Sequence, residues 1–169
     1  FESTAGARLL CNYMRFGGLA YDLPDDVRGT ETLKFLEELI YNRLPKVLDQ
    51  GDDLITGNEI VRARAIGVGI LTPEDAIALS TAGPLLRASG VPYDIRRAEP
   101  YSYYEHLDFD VAVRYNGDIY DRYLIRMDEM RQSLRILEQV LPHLKRTVGG
   151  SIISGKPEYA FRAPRTGAS

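Results

Sequence analysis

Residues that could carry covalent or metal chemistry are scarce in this sequence. Its 169 residues include one cysteine, Cys11, and two histidines, His106 and His143. A lone cysteine forms no internal disulfide and no Cys-x-x-Cys metal site, which fits a reducing compartment. The Gly-x-Ser-x-Gly motif of serine hydrolases is absent as well. These absences exclude a disulfide-stapled scaffold within the chain and leave a serine hydrolase unsupported.

Long apolar runs and a positive net charge are also missing. The longest apolar candidate, residues 66–71, is interrupted by glycines and is far shorter than the roughly 18 residues of a membrane span. A net charge of −3 argues against a general nucleic-acid-binding protein. Hydrophobic residues make up 44% of the chain, which is typical of a globular domain of ordinary size with a real core.

Hydrophobic periodicity predicts a fold that is mainly α-helical. Apolar residues recur at helical spacing over residues 31–48, where Pro45 should kink or restart the helix. The clearest helix covers residues 118–143, with acidic residues at its start and basic residues after its end. Residues 51–53 carry a turn signal.

Local signals predict two further helical segments. Thr72 followed by Pro73 and two acidic residues is typical of a helix start, and we expect this short helix to stop near residue 83. Residues 1–11 are interpreted as the end of a helix that enters an Arg-x-Gly-Gly turn.

The β-structure predicted from the sequence is minor. Apolar and polar residues alternate over residues 108–115, which favours a half-buried strand. Residues 149–169 are interpreted as an irregular tail with a possible short strand over residues 159–162. The sequence therefore predicts a mainly α fold with minor β, organised as a single helix-rich domain over residues 1–169.

Two motifs that suggest ligand binding have weak contexts. Residues 150–156 match the phosphate-loop pattern G-x-x-x-x-G-K, but Pro157 stands where that motif needs Ser or Thr, and no buried strand precedes it. His106 lies among Glu105, Asp108 and Asp110, although these residues have no defined metal-ligand spacing. We interpret the first as a chance match and the second as surface carboxylates beside a strand.

The arginines are more informative than either motif. Arg122 and Arg126, like Arg131 and Arg135, are like-charged pairs four residues apart on the long helix, which leaves open a solvated face or a face docked on acidic groups. Other arginines stand beside Gly or Pro turns, where guanidinium groups usually order carbonyls or carboxylates; they are Arg15, Arg87, Arg96 and Arg97. A group of tyrosines has interface character. By chemistry alone, the chain is a helix-rich interaction domain.

Four segments resemble, in chain order, the D-subunit family of NADH:quinone oxidoreductase, respiratory complex I. The segments are GARLLCNYMRFGGLAYDLP, GPLLRASGVPYDIRRAEPYSYYEHLDFDV, GDIYDRYLIRMDEMRQSLRIL and YAFRAPRTGA. The resemblance covers essentially the whole chain. It implies that residues 1–169 are the central portion of a longer subunit.

The resemblance implies a fold, partners and an activity. The fold is part of a nickel–iron hydrogenase large-subunit-like fold that lacks the metal site. The subunit is expected in the peripheral arm, on the cytoplasmic side of the cell membrane or the matrix side in a mitochondrion. There it packs on the subunit that carries the last iron–sulfur cluster, and the two together form the quinone headgroup pocket, where a membrane-arm subunit is also a partner. NAD is a substrate of the whole proton-pumping complex, whereas this chain alone is expected to bind no cofactor or metal and to be inactive.

Residues of the Arg-x-Gly-Gly turn match the family and are expected near the partner's cluster. They are Arg15, Gly17 and Gly18, and Leu10 and Cys11 precede them. Other charged residues match family motifs or lie on the long helix, and we expect them to be structural or to lie at an interface; they are Arg87, Asp94, Arg96, Arg122, Arg126 and Arg131.

Two departures from the family pattern affect this region. Phe16 replaces the proline of many relatives, and Leu10-Cys11 stands where many relatives carry a His-His pair. A histidine near a cluster couples its own protonation to cluster reduction, because the two charges interact at short range. We therefore hypothesise that the terminal cluster beside this protein has a weakly pH-dependent potential. Cys11 itself is interpreted as a small buried residue.

Two other functions stay open at this point. One is the large subunit of a related membrane-bound energy-converting hydrogenase, which needs Cys-x-x-Cys pairs to hold nickel and iron. The other is a helical docking module without a redox role. Residues outside this chain would separate them: terminal Cys-x-x-Cys pairs favour the hydrogenase, and quinone-pocket residues favour the quinone-reducing subunit.

Overall fold

Helices dominate the computed structural model, which describes residues 2–23 and 27–154. The α-helices of the described residues are α1 Glu2–Ala5, α2 Val27–Glu38, α3 Leu44–Gly51, α4 Glu59–Ala65, α5 Pro73–Ala78, α6 Pro84–Ala88, α7 Ile95–Ala98 and α8 Ile119–Thr147. Strands β1, Met14–Arg15, and β2, Gly18–Leu19, form a two-stranded sheet. The prediction of a mainly α fold with minor β is confirmed.

The chain divides into two compact units. The first consists of residues 1–35 together with residues 143–169, and the second consists of residues 36–142. The strand expected over residues 159–162 lies outside the described residues. The single domain expected over residues 1–169 stays a prediction.

The N-terminal helix is shorter than the sequence suggested. Helix α1 ends at Ala5, and Gly6 follows with a φ of +70° while its N–H donates to the carbonyl of Glu2 at 2.9 Å. A left-handed residue of this kind is a common helix terminator. The prediction that the helix runs to Cys11 is therefore wrong, and residues 7–13 are irregular.

Helical structure is nearly continuous from α2 to residue 56. A π-helical turn, Leu39–Arg43, joins α2 to α3, and the N–H of Leu44 donates to the carbonyl of Leu39, five residues earlier. Pro45 then lies in the first turn of α3, directly after the π-helical turn. The restart predicted at Pro45 is confirmed.

The turn predicted at residues 51–53 is wrong. A second π-helical turn, Asp52–Thr56, follows α3 directly and ends at Gly57. The carboxylate of Asp52 accepts a hydrogen bond from the Thr56 hydroxyl at 2.8 Å and forms an ion pair with Arg131. An aspartate that favours turns by capping its own backbone is here occupied by side-chain partners, so the helix continues.

Helix α8 lies antiparallel to α3 within the second unit. Near the start of α8, the hydroxyl of Tyr120 donates to the carbonyl of Thr56 at 2.8 Å, just after the end of α3. Further along α8, Arg131 lies 3.4 Å from the carboxylate of Asp49, within α3. Because the contacts of α8 move back along the chain of α3, the two helices run in opposite directions. The buried apolar residues of these elements and their neighbours form the core of the unit; they include Ile40, Leu48, Ala76, Leu86, Ala88, Leu107, Phe109, Ile125 and Met127.

The start signal at Thr72 is confirmed, but the helix is shorter than expected. The Thr72 hydroxyl accepts a hydrogen bond from the N–H of Asp75 at 3.1 Å, as an N-cap does. Helix α5 ends at Ala78 rather than near residue 83, and Ser80 follows with a φ of +53°. Helix α6 begins separately at Pro84.

The segment expected as a strand is extended but has no strand partner within the described residues. Side chains of α8 replace the missing ladder, because Gln139 accepts from the N–H of Asp108 at 2.8 Å and Gln132 accepts from the N–H of Asp110 at 2.9 Å. Arg135, on the same face of the helix, pairs with both carboxylates. The predicted alternation of buried and exposed residues holds only over residues 107–110, because residues 111–114 are all half-buried and Tyr115 is exposed. The predicted strand is wrong.

The long helix predicted over residues 118–143 is confirmed as α8, but it continues to Thr147, so the basic residues expected after its end lie in its last turn. Asp118 precedes its first residue, and one carboxylate oxygen accepts a hydrogen bond from the N–H of Asp121 at 2.8 Å. Ile125, Met127 and Leu141 are buried within the helix, and the other residues of its apolar stripe are less well covered.

We expect Gly117→Ala to lower the free energy of unfolding by more than about 2 kcal/mol. Gly117 has a φ of +66°, and a Cβ there would lie 2.2 Å from the carbonyl oxygen of Leu71. The measurement is urea unfolding followed by circular dichroism.

Gly57→Ala is the matched control for that substitution. Gly57 has a φ of −81°, and no atom lies within 4 Å of a Cβ built on it. Alanine there should change the stability by less than about 1 kcal/mol. Equal effects of the two substitutions would contradict the close approach of Gly117 to Leu71.

Candidate functional site

A β-hairpin in the first unit carries the Arg-x-Gly-Gly turn. Strands β1 and β2 pair antiparallel, with Met14 opposite Leu19 and Arg15 opposite Gly18. Phe16 and Gly17 form the two-residue connection, and Gly17 has a φ of +82°. The motif therefore folds as the tip of a hairpin, as its two glycines allow.

A third segment of the first unit fixes the hairpin from the side of Gly18. The N–H of Leu19 donates to the carbonyl of Ile152 at 2.9 Å, and the N–H of Ser154 donates to the carbonyl of Gly17 at 2.7 Å. A Cβ on Gly18 would lie 2.0 Å from the carbonyl oxygen of Ile152. Only glycine permits this close approach. Gly18 is therefore required for the hairpin to pack against the segment that contains Ile152.

The tip presents apolar side chains to solvent. Phe16 is 92% exposed, and Met14 and Arg15 of β1 are exposed next to it; Leu10, on the irregular segment before the hairpin, is 71% exposed. A cavity of about 420 Å³ is lined by Met14, Arg15 and Phe16. Large apolar side chains exposed together on a fixed backbone are typical of an interaction surface.

Cys11 is exposed, so its interpretation as a buried residue is wrong. The reason is the early end of α1 at Ala5, which leaves residues 10 and 11 on an irregular segment without a helix face to bury. The structure thus brings Leu10 and Cys11 to the surface of the unit that also carries the hairpin.

Arg87 belongs to a buried polar group in the second unit. Its guanidinium donates to the carbonyl of Tyr93 at 3.0 Å and forms an ion pair with Glu129 of α8. Its own carbonyl accepts from the N–H of Arg114 at 3.0 Å. Among the described residues, its buried Nε has no acceptor. Arg87 thus ties α6 to two other segments, as expected for a guanidinium beside a glycine turn.

Asp94 and Arg96 form a second charged pair beside the first. The carboxylate of Asp94 is buried, caps α7 by accepting from the N–H of Arg96 at 3.0 Å, and lies 2.6 Å from the Arg96 guanidinium. The side-chain hydrogen bond between them lowers the pKa of Asp94 and raises the pKa of Arg96. Both charged pairs, Arg87–Glu129 and Asp94–Arg96, line a cavity of about 420 Å³.

Arg122 and Arg131 of α8 bond to other segments of the second unit, whereas Arg126 bonds within the helix. Arg122 donates to the carbonyls of Gly117 at 2.7 Å and Gly69 at 2.9 Å, and Arg126 donates to the carbonyl of Arg122 at 2.6 Å. Arg131 pairs with Asp52, whose pKa is lowered by the Thr56 hydroxyl and by this guanidinium. Arg122 and Arg131 therefore hold neighbouring segments in place.

The histidine and carboxylate group around His106 is accounted for by ordinary contacts. The imidazole lies 3.2 Å from the carboxylate of Glu105, and both side chains are exposed. Asp108 and Asp110 are paired with Arg135 instead. Among the described residues, no group of three or more His, Cys, Asp or Glu side chains is arranged to hold a metal ion.

Reasoning from the sequence missed two contacts, one between Arg87 and Glu129 and one between Asp118 and Gly67. Glu129 pairs with Arg87 across a separation of 42 residues, which no local pattern indicates. Asp118 was placed at a helix start, but its second carboxylate oxygen also accepts from the N–H of Gly67 at 2.8 Å. The cap was visible in the sequence, whereas the distant partner was not.

The geometry defines a helix-rich protein with an exposed apolar hairpin in one unit and paired buried charges in the other. None of the helices in the described part of the chain combines the length and apolar character that crossing a bilayer requires. Apolar side chains exposed on a fixed hairpin are typical of a protein that contacts a partner.

Residues 1–167 match the family described as respiratory-chain NADH dehydrogenase, 49 Kd subunit. The chain is 52% identical over 152 residues to the D 1 subunit of NADH-quinone oxidoreductase from Roseiflexus sp. (strain RS-1), covering 90% of this chain and 39% of the relative. It is 44% identical over 164 residues to the D 2 subunit from Herpetosiphon aurantiacus, covering 97% of this chain and 43% of the relative. It is 38% identical over 169 residues to the D subunit from Burkholderia cenocepacia (strain HI2424), covering 88% of this chain and 40% of the relative.

The chain therefore belongs to the 49 kDa subunit family of respiratory-chain NADH dehydrogenase. This match confirms the resemblance seen in the sequence motifs. The chain spans about two fifths of the length of the curated relatives it matches.

We expect Arg96→Met to lower the free energy of unfolding at pH 7 by about 2 kcal/mol, because it leaves the buried carboxylate of Asp94 without its partner. In the folded state the pKa of Asp94 is lowered from its ordinary value of 3.8. The ion pair between Asp94 and Arg96 therefore contributes its full stabilisation of the fold at pH values above 3.8. This stabilisation is lost as the pH falls through the folded-state pKa of Asp94. The difference in free energy of unfolding between Arg96→Met and the parent should therefore shrink below about pH 4.

The measurement is urea unfolding at pH 7 and at several values below pH 4. Arg62→Met, which removes an exposed arginine of α4, is the control for the loss of one positive charge. A difference between Arg96→Met and the parent that stays constant with pH would contradict the assigned pairing.

Proposed function

We propose that this chain is part of the D subunit of a proton-pumping NADH:quinone oxidoreductase. In that complex the subunit helps to form the quinone site, and electrons pass from the terminal iron–sulfur cluster on a partner subunit to quinone. The family match over residues 1–167 carries the proposal. The relatives are named as D subunits of NADH-quinone oxidoreductase, and that name gives NADH and quinone as the two reactants. NAD is then a substrate of the whole complex.

The proposed contribution of this chain is docking and positioning. The tip of the hairpin, with Arg15, Gly17 and Gly18, faces the subunit that carries the cluster, and Leu10 and Cys11 lie near that contact. The exposure of Phe16 and the fixed backbone at Gly18 support this role, because a preorganised apolar tip loses little conformational freedom on binding.

The proposal also includes the finer expectations from the family. The fold is part of a nickel–iron hydrogenase large-subunit-like fold, and the subunit lies in the peripheral arm at the junction with the membrane arm. The charged pairs around Arg87, Asp94 and Arg96 are structural in this proposal. They stiffen the second unit, since all four partners of the two pairs meet around one cavity.

The hairpin is tested in a chimera in which this chain replaces the matched part of the Roseiflexus D 1 subunit. The chimera is produced with the other complex subunits in a bacterial host that lacks its own gene for the corresponding subunit. We expect Phe16→Asp to reduce the assembled complex and its NADH:quinone activity at least about tenfold, since a charge replaces an apolar interface side chain. The amount of complex in the membranes and its activity are measured together.

Tyr115→Asp is the matched control, because Tyr115 is another exposed aromatic residue and lies in the second unit. It should leave assembly and activity within about twofold of the parent chimera. A Phe16→Asp complex that assembles and reduces quinone like the parent would remove the hairpin from the interface.

The absence of a histidine pair at residues 10 and 11 gives a second test in the same assembled complex. We expect the potential of the terminal cluster to change little with pH in the parent chimera. The double substitution Leu10→His and Cys11→His should make it more strongly pH-dependent, because protonation of an imidazole then accompanies reduction.

The measurement is a redox titration of the cluster, followed by electron paramagnetic resonance at several pH values. Tyr115→His introduces a histidine into the other unit and should leave the titration unchanged. A full proton-linked dependence in the parent chimera would overturn the hypothesis.

A further inference from the structure

The loop of residues 66–71, between α4 and α5, has a backbone held in one conformation. The N–H of Gly67 donates to the carboxylate of Asp118 at 2.8 Å, and the N–H of Leu71 donates to the carbonyl of Gly117 at 3.0 Å. The N–H of Ile119, the first residue of α8, donates to the carbonyl of Val68 at 3.0 Å. The loop is thus joined to the start of α8 by bonds in both directions.

Side chains complete the fixation of the 66–71 loop. Arg122 donates to the carbonyl of Gly69 at 2.9 Å, and the buried hydroxyl of Ser89 donates to the carbonyl of Leu71 at 2.8 Å. A backbone satisfied by this many internal partners has little need of water or of another chain for hydrogen bonding.

The same loop directs its apolar side chains to solvent. Val68 is 45% exposed and Ile70 is 63% exposed, and Ile66 is also exposed. Ile119 adds to them, since a Cβ on Gly69 would lie 3.5 Å from its side chain, and it is exposed too. We call this surface, formed by Ile66, Val68, Ile70 and Ile119, the apolar loop face. A rigid backbone that displays branched aliphatic side chains is preorganised for contact.

The chemistry of the apolar loop face indicates a permanent cover. Residues 65–73 contain no charged side chain, and the charged groups that touch the loop backbone are satisfied by it. Depletion of charge is the mark of interface centres, and permanent interfaces resemble a domain core cut in half. The surface that covers the apolar loop face must therefore be apolar. It does not have to form hydrogen bonds with the loop.

We propose that the apolar loop face is covered by the part of the same polypeptide that lies outside these 169 residues. The chain spans 39% of the Roseiflexus relative and 43% of the Herpetosiphon relative, so polypeptides of this family contain more than half their length beyond the matched part. Any segment from that length is present in every copy of the subunit, at a fixed ratio of one to one. The proposal concerns the second unit and is independent of the role proposed for the hairpin.

The test measures thiol accessibility in the chimeric full-length subunit, purified alone without other subunits. Cys11→Ser removes the native thiol of this chain, and Val68→Cys places one on the apolar loop face. Ala63→Cys, at an exposed position of the preceding helix α4, is the matched control. Labelling by a maleimide is followed by peptide mass spectrometry at each position, in buffer and in urea.

We expect the Val68→Cys thiol to be labelled at least about tenfold more slowly than the Ala63→Cys thiol in buffer, and equally fast in urea. The protection should not depend on protein concentration. Equal labelling in the isolated subunit would overturn the proposal. Protection that appears only after assembly would assign the face to another subunit, and protection lost on dilution would assign it to a second copy.

Discussion

The second unit depends on one arrangement, in which polar side chains of a long helix bond the backbone of segments that lack regular partners. Gln132 and Gln139 of α8 bond the extended segment after residue 107, and Arg122 bonds two loop carbonyls. Buried backbone groups without partners would be costly, so these bonds allow irregular segments to pack closely. Several charges of α8 that look like a solvated face in the sequence are paired at the surface with other segments of the unit.

The arginine pattern follows from the same arrangement. Arg131 and Arg135 are like-charged neighbours that would disfavour an isolated helix, but Arg131 pairs with Asp52 and Arg135 pairs with Asp108 and Asp110. Exposed pairs of this kind contribute little energy individually. Their effect is to define which segment lies beside which face of the helix, and the two glutamines add direct bonds to the backbone.

Local signals in the sequence predicted the helical stretch over residues 31–48, the long helix α8 and the start of α5, but they did not predict α4, α6 or α7. Thr72 and Asp118 were placed correctly because an N-cap bonds an amide only three residues away. The turn at residues 51–53 was wrong because Asp52 bonds Thr56 and Arg131 rather than its own backbone. The strand predicted over residues 108–115 was wrong because helix side chains bond its backbone, and the expected alternation of buried and exposed residues ends at residue 110.

The sequence by itself determined the family, the main helices, the hairpin glycines and several arginines that hold other segments. Periodicity, caps and motifs depend on residues within a few positions of one another, so one chain displays them without folding. Only the tertiary structure decided that Arg87 meets Glu129, that Cys11 is exposed and that the 66–71 loop is fixed with its apolar side chains outward. These outcomes depend on contacts between residues far apart in the chain, which form when α8 and the loops around it pack together.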